Sequence, residues 1–407
     1  MTKLNELIQE LCPNGVEYKP LGDIATISRG GSFQKKDYTE NGVPCIHYGQ
    51  IYMHYGLFAE KTLTYISEEV AQKQKFAEPG DIIMAVTSEN MDDVCKCMAW
   101  LGSKKIAVSG HTAIIHHSIN PKYLVYWLSS TMFYQQKVKI AHGTKVIEVA
   151  PARLADIILP VPPLPVQREI VRILDNFTEL TAELTAELTA ELTARKQQYA
   201  YYRDKLLADS KTVPQIKLSE LCDIGDGLHG TPIYDDNGQY YFINGNNLSN
   251  GTITLSPQTK RIARDEYEKI KLSFSDTVLL SINGTIGNVA VYGGENIALG
   301  KSVAYFNIRS ENLFCKYLFY VLQSSRSVEY FRKSSTGTTI KNLGLSTLRD
   351  YQIPLPSLEI QKRIVEVLDN FDAICTDLNI GLPAEIEARQ KQYEYYRDKL
   401  LTFTPAD

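Results

Sequence analysis

Two glycine-bearing segments come nearest to phosphate-handling chemistry. Gly294-Glu-Asn-Ile-Ala-Leu-Gly300-Lys301-Ser302 approaches a P-loop, whose backbone N–H groups and lysine cradle phosphates, but it has five residues between the glycines where that loop has four. Gly225-Asp-Gly227-Leu-His-Gly230 has the spacing of a dinucleotide fingerprint, yet Thr231-Pro232 stand where the helix would have to begin. A tight turn at the start of a module is the better reading of that segment. Cys95 and Cys97 form a Cys-x-Cys pair with no second pair to complete a zinc site. The other five cysteines (Cys12, Cys45, Cys222, Cys315, Cys375) lie far apart, as reduced thiols of a cytosolic protein do. His116 and His117 are neighbours in a strand-like run, so they face opposite sides and make poor joint ligands. An Asn/Asp-Pro-Pro-aromatic motif, needed by an adenine methyltransferase at its flipped base, is absent. The expectation is a chain with no catalytic residue, no metal and no cofactor of its own.

The role must then lie in binding, and composition constrains it. At 407 residues the chain exceeds one ordinary core. No stretch of about 18 apolar residues occurs, and the N-terminus lacks an apolar signal core, so we expect a cytoplasmic protein with no membrane partner. A net charge of −4 argues against a simple basic coat on nucleic acid. The acidic excess is local: residues 351–407 hold 6 Lys and Arg against 10 Asp and Glu, whereas residues 1–150 balance at 15 against 15. Basic patches are thus permitted on the larger modules.

The elements that position any site are duplicated. PVPPLPVQREIVRILDNF (160–177) returns as PLPSLEIQKRIVEVLDNF (354–371), and ARKQQYAYYRDKLL (194–207) as ARQKQYEYYRDKLL (388–401). Both matches share an offset of 194 residues, and 25 of the 48 positions from 160 to 207 are identical, which excludes chance. Upstream the likeness weakens, although Lys122-Tyr123-Leu124 still matches Lys316-Tyr317-Leu318 and Gly143-Thr144 matches Gly337-Thr338. Two divergent modules on one preserved scaffold suggest a single architecture reading two targets. Within the modules, Ile82–Val86, Thr112–Ile115 and Thr277–Leu280 read as strands. One helix is expected near Tyr123–Val138 and another near Leu313–Phe331.

Proline clusters at 160–165 and 354–356 open two long helices. In the first, Ile170, Ile173, Phe177, Leu180, Leu184, Leu188, Leu192, Tyr199 and Tyr202 form an apolar seam. In the second, Ile364, Val367, Phe371, Leu378, Tyr393 and Tyr396 do the same. These spacings predict an intramolecular coiled coil. Glu-Leu-Thr-Ala occurs four times over 179–194, and its residues favour ordered helix over flexible filler. Gly381-Leu382-Pro383 should break the second helix in two. Arg195 and Arg389 each follow a glutamate by four residues (Glu191, Glu385), the spacing of a surface pair.

With its paired Gln-Arg-Glu-Ile-Val (167–171) and Gln-Lys-Arg-Ile-Val (361–365) junctions, Leu-Asp-Asn-Phe segments, two Tyr-Tyr-Arg-Asp-Lys-Leu-Leu ends and Glu-Leu-Thr-Ala array, the chain resembles the specificity subunit of a type I restriction–modification enzyme over essentially its whole length. That resemblance implies an α+β protein with two tandem α/β target-recognition domains (1–159 and 211–353). They are joined by two long antiparallel helical segments (160–210 and 354–407) that form the coiled coil. It implies that each domain reads one half of a bipartite, asymmetric site on double-stranded DNA while the helices set the unread gap. It also implies two methyltransferase subunits, which use S-adenosylmethionine to modify adenine N6, and restriction subunits, which use ATP and Mg2+ to cleave.

Candidate DNA contacts are loop side chains able to reach phosphates or base edges. In module one these are Ser32, Gln34, Lys35, Lys36, His47, Tyr48, Lys104, Lys105, His111, Thr144 and Lys145. In module two they are His229, Thr231, Asn244, Asn246, Asn247, Lys260, Arg261, Asn283, Lys301, Thr338, Thr339 and Lys341. For each, a merely solvated loop residue is the competing reading. A methyltransferase or nuclease acting alone, and a coiled-coil scaffold without nucleic acid, are the competing functions. The missing motifs oppose the first, and DNA binding would oppose the second.

Overall fold

The computed structural model describes residues 2–208, 213–249, 251–376 and 381–406. Its principal helices are α1 (Thr2–Leu11), α2 (Pro121–Trp127), α3 (Thr131–Ile140), α4 (Leu164–Leu206), α5 (Cys315–Gln323), α6 (Ser325–Ser334), α7 (Leu358–Thr376) and α8 (Leu382–Leu400). The chain divides into two compact units. The first gathers residues 1–185 with 387–407, and the second is 186–386.

Unit one is built on a five-stranded sheet ordered Ala25–Arg29, Thr112–His117, Ile82–Ala85, Cys97–Trp100, Phe58–Ala59. Ile82–Ala85 shows no polar alternation because both its faces are covered. Ile82 and Met84 enter a core with Tyr123, Leu124 and Trp127 of α2, while Ile83 and Ala85 pack on Ile46 and Val108 of a second sheet. In that second sheet Val43–Ile46 and Ile106–Val108 run parallel. Unit two repeats the plan on shorter sheets. Cys222–Asp226, Val303–Ile308, Thr277–Ser281 and Val289–Val291 form the first. Arg261–Ile262, Tyr240–Ile243 and Ile297–Leu299 form the second, the last two strands parallel. Val278 and Leu280 face one core there and Leu279 the other.

The single helix expected near Tyr123–Val138 is in fact two, α2 and α3, and that near Leu313–Phe331 is α5 and α6. The reason is local. Ser130 and Ser324 adopt extended backbone, and each hydroxyl accepts an N–H of the following helix, from Phe133 and Ser327 respectively, so the chain turns and restarts.

Each module is held to the long helices by the same bonds. Buried Gln167 accepts the Asn120 N–H and donates to the Pro162 carbonyl, both at 2.8 Å or less. Gln361 accepts the Phe314 N–H and donates to the Asn312 and Pro356 carbonyls, all at 2.8 Å. Lys122 and Tyr126 converge on Asp175, as Lys316 and Tyr320 converge on Asp369. Asp398 accepts the Thr131 N–H at the start of α3 (3.2 Å), and Asp204 accepts the Ser325 N–H at the start of α6 (3.0 Å). Burial alone would raise the Asp204 carboxyl, but Ser325 and Arg203 hold it below the usual range.

The long helices pack antiparallel within each unit. In unit one Phe177 of α4 lies 6.0 Å from Tyr396 of α8, and Thr178 shares a 3.0 Å hydrogen bond with Tyr393. In unit two Tyr202 of α4 stacks on Phe371 of α7 at 5.8 Å. The Glu-Leu-Thr-Ala array is helical throughout, since α4 is continuous over 43 residues. Its leucines, however, are less covered than a seam requires: Leu180 is 61% and Leu184 36% exposed, and Leu188 and Leu192 are half-buried. At about 100° per residue a four-residue step overshoots one turn by about 40°, so the leucine stripe winds around α4 instead of facing one side. α7 ends at Thr376 and α8 begins at Leu382 with Pro383 in its first turn, where the break was expected.

Candidate nucleic-acid interface

In unit one, three loops meet at the ends of the parallel strand pair. The Ser109 N–H donates to the Ile46 carbonyl (3.1 Å), the Tyr48 N–H to the Ser109 hydroxyl (2.8 Å), and the Gly31 N–H to the Val108 carbonyl (2.6 Å). Gly30 must be glycine because a Cβ there would sit 2.0 Å from the Ser109 carbonyl oxygen. The loops surround a depression of about 640 Å3 lined by Arg29, Ser32, Gln34, His47, Tyr48, Lys73, Lys75 and His111, among others. Tyr48 lies 4.5 Å from His47 and 5.0 Å from His111, ring to ring. The His47 Nδ1 accepts the Gly49 N–H (3.2 Å), which assigns the proton of the neutral ring to Nε2. Burial, with Lys35 and His111 nearby, pushes the His47 pKa below its usual value.

Unit two builds the same edge from different side chains. Gly227 takes the place of Gly30, and a Cβ there would lie 2.1 Å from the Leu299 carbonyl oxygen. The Gly300 N–H donates to the Ile243 carbonyl and the Lys301 N–H to the Leu228 carbonyl, both at 2.9 Å. Asn244 follows its strand as His47 does, and each begins a helical turn closed by a capping box, with Asn247 and Gln50 as partners. The Ser302 hydroxyl donates to the Asn244 side chain (3.0 Å). His229 pairs with Asp226 at 2.8 Å. Lys260 and Arg261 lie over the rings of Tyr234 and Tyr241. Asn283 donates to Asn342 (3.3 Å), joining a second loop to the one that bears Thr338, Thr339 and Lys341.

The expected residues are therefore gathered unevenly. Ser32, Gln34, His47, Tyr48 and His111 share one depression, with Lys35 and Lys36 on the adjoining turn Lys35–Asp37. Thr144 and Lys145 belong to a loop tied to that edge by the Arg29–Glu148 ion pair (3.1 Å). Lys104 and Lys105 instead precede Ile106–Val108, at the opposite end of the strand from Ser109. Asn246 and Thr231 are exposed on the loops around Asn244 and His229. Arg29, Lys73, Lys75 and Ser302 were not expected. The Arg29-Gly30-Gly31 turn was the available signal for the first.

Among the coiled-coil candidates, Phe177, Tyr393 and Tyr396 meet in unit one, and Tyr202 and Phe371 in unit two. Ile170 and Ile173 lie in the core of unit one, and Ile364 in that of unit two, with Tyr199 packed against it. Val367 is 43% exposed. Leu378 lies outside the described residues.

The weaker motifs find no chemical setting. Ile297–Leu299 and Val303–Ile308 flank Gly300-Lys301-Ser302, so that segment is strand–turn–strand with no helix to cradle phosphate. Leu228 bridges to Gly300, a tight turn and no dinucleotide site. His116 bonds Asp81 (2.7 Å). Glu191 and Arg195 form the expected surface pair at 3.3 Å. Among the described residues no group of three or more His, Cys, Asp or Glu is placed to hold a metal ion, and no helix is long and apolar enough to cross a membrane.

Comparison with known proteins places these features in a family. The type I restriction modification DNA specificity domain matches twice, at residues 13–194 and 211–388. A putative type I restriction enzyme specificity subunit of Haemophilus influenzae is 29% identical over 406 residues, covering 96% of each chain. The Escherichia coli type I restriction enzyme EcoR124I/EcoR124II specificity subunit is 29% identical over 425 residues, covering 99% of this chain and 98% of its own. A chain from a study of complex assembly and conformational transition in the type I R-M system superposes with a TM-score of 0.71 at 19% identity, over 96% of this chain and 98% of its own. The crystal structure of the HsdS subunit from Thermoanaerobacter tengcongensis gives 0.54 at 18% identity, over 96% and 97%. The two-module, paired-helix architecture is that of a DNA-specificity protein, and the chain belongs to the type I restriction–modification specificity subunit family. It is a DNA specificity subunit and not an enzyme.

Proposed function

We propose that each module reads one half of a bipartite, asymmetric site on double-stranded DNA. Residues 1–159 and 211–353 act as the two readers, and segments 160–210 and 354–407 set the gap between half-sites. The observation that carries this reading is the matched pair of loop edges: one backbone plan, with His47, Tyr48 and His111 on one and Asn244, Lys301 and Ser302 on the other. Side chains of these types hydrogen-bond base edges and phosphates. Two methyltransferase subunits dock on the helices and supply S-adenosylmethionine-dependent adenine-N6 methylation. Restriction subunits join them in an ATP- and Mg2+-dependent nuclease. This chain contributes selection and holds none of those cofactors.

The test is co-expression with the neighbouring methyltransferase, followed by sequencing of modified adenines. The expected result is a motif of two unlike halves about one helical turn apart. Exchanging residues 211–353 for those of a relative should change one half alone. A single contiguous motif, or changes in both halves, would overturn the reading.

A further inference from the structure

The two reading edges differ in nearly every side chain, yet one loop keeps the same backbone and the same Gly-Thr pair in both. His142–Glu148 and Thr336–Asn342 stand 194 residues apart, and each closes on an antiparallel bridge. His142 and Glu148 exchange N–H···O bonds of 3.0 and 2.8 Å, Thr336 and Asn342 bonds of 2.9 and 2.8 Å. Gly143 and Gly337 have φ of +111° and +92°. A Cβ on them would lie 2.0 and 2.2 Å from the carbonyl oxygens of Val146 and Ile340. That tight turn leaves those two β-branched side chains 59% and 62% exposed. Lys145 and Thr144 flank the first, and Thr338, Thr339 and Lys341 the second.

A lone exposed aliphatic residue is ordinary. A β-branched aliphatic residue at the same tip of two otherwise divergent modules, Val146 in one and Ile340 in the other, calls for a cause. The first loop is tied to the reading edge through Glu148 and Arg29, and Val146 lines a depression with Tyr48, Tyr52 and Asn90. The second is tied through Asn283. Features that differ between modules suit what differs between half-sites, so a preserved feature suits what half-sites share. What they share is the duplex itself.

We propose that Val146 and Ile340 are apolar wedges, each entering a groove and pressing against a base step, while the neighbouring lysines and threonines hold phosphates. Inserted aliphatic side chains unstack a step and let the duplex bend around the protein. This inference rests on the DNA-reading role proposed above.

The test uses the full chain with its methyltransferase partner on duplexes carrying the sequenced target, with 2-aminopurine scanned along both halves. Besides the flipped target adenine, wild type should brighten the probe at one further step per half-site, and the variants are read at that step. Val146→Ser should abolish the signal in one half only and Ile340→Ser in the other, each weakening binding about tenfold. Val146→Ile should retain both. Both side chains are exposed, so unchanged melting temperatures verify folding of all three variants. Wild-type fluorescence and affinity in both serine variants would overturn the wedge while leaving DNA reading intact. So would loss of the methyltransferase partner with duplex affinity unchanged, which would make the loops protein contacts. Failure of the wild-type complex to bind duplex would sink the reading role as well.

Discussion

On the loop edges the backbone is repeated and the side chains are not, whereas at the junctions with the long helices both are repeated. His47 stands where unit two has Asn244, but Gln167 and Gln361 make the same bonds from buried side chains, and Asp398 and Asp204 make matching bonds nearer the surface. The contrast follows from cost. His47 and Asn244 each cap their own helical turn, which either residue type can do, while a buried amide that bonds two or three backbone groups strands them if replaced. Specificity can therefore drift on a support that cannot. One junction breaks the rule. Thr178 bonds the hydroxyls of Tyr126 and Tyr393, but the equivalent Asp372 stands beside Asp369 and Tyr199, and burial with that neighbouring charge raises its pKa.

Four experiments bear on this contrast. The largest effect should follow from deleting one Glu-Leu-Thr-Ala unit. About 6 Å of helix is lost, one to two base pairs of DNA. Modification at the original site should vanish and reappear at a site with a shorter gap and the same halves; methylome sequencing that found altered halves at constant spacing would refute the ruler. Next, Gln361→Leu should destabilise unit two, and Gln167→Leu unit one, by about 3 kcal/mol each, read as a shift of one denaturation transition. Equal effects on both transitions would contradict independent junctions. Asp204→Ala and Asp398→Ala should each cost about 1 kcal/mol, as the loss of a helix-start acceptor does.

The smallest effect concerns the exception. The folded Asp372 carboxyl takes up a proton more readily than in the unfolded chain, so its contribution to stability is present at low pH and is lost as pH rises through its raised pKa. Asp372→Thr, which installs the residue of unit one, should raise the melting temperature by about 2 °C at pH 7 and by nothing below the usual aspartate range near pH 4. A gain that persisted in acid would mean that packing, not charge, is responsible.

Much of the support was legible in the sequence because it is periodic and duplicated. The long helices, the break at Gly381-Leu382-Pro383 and the central strands all follow from local patterns. The edges were legible only in part, since Arg29, His47, Lys75 and His111 come from four segments joined through strands of three to six residues. Lys104 and Lys105 are basic loop residues like the others, and only the strand direction reveals that they sit at its far end. Gln167 and Gln361 look like helix-surface residues until the Pro-rich approach folds over them. Nor does chain order reveal that the Tyr-Tyr-Arg-Asp end of α8 serves unit one while that of α4 serves unit two.

The winding leucine stripe carries a last consequence for the array. Inserting four residues into a continuous helix is a screw motion: everything beyond advances by about 6 Å and turns by about 40°. B-DNA is a screw of the same hand, turning about 34° per base pair at 10 to 10.5 pairs per turn. Under the ruler role proposed above, a spacer that only lengthened would swing a reader out of its groove, but one that lengthens and turns together partly follows the thread.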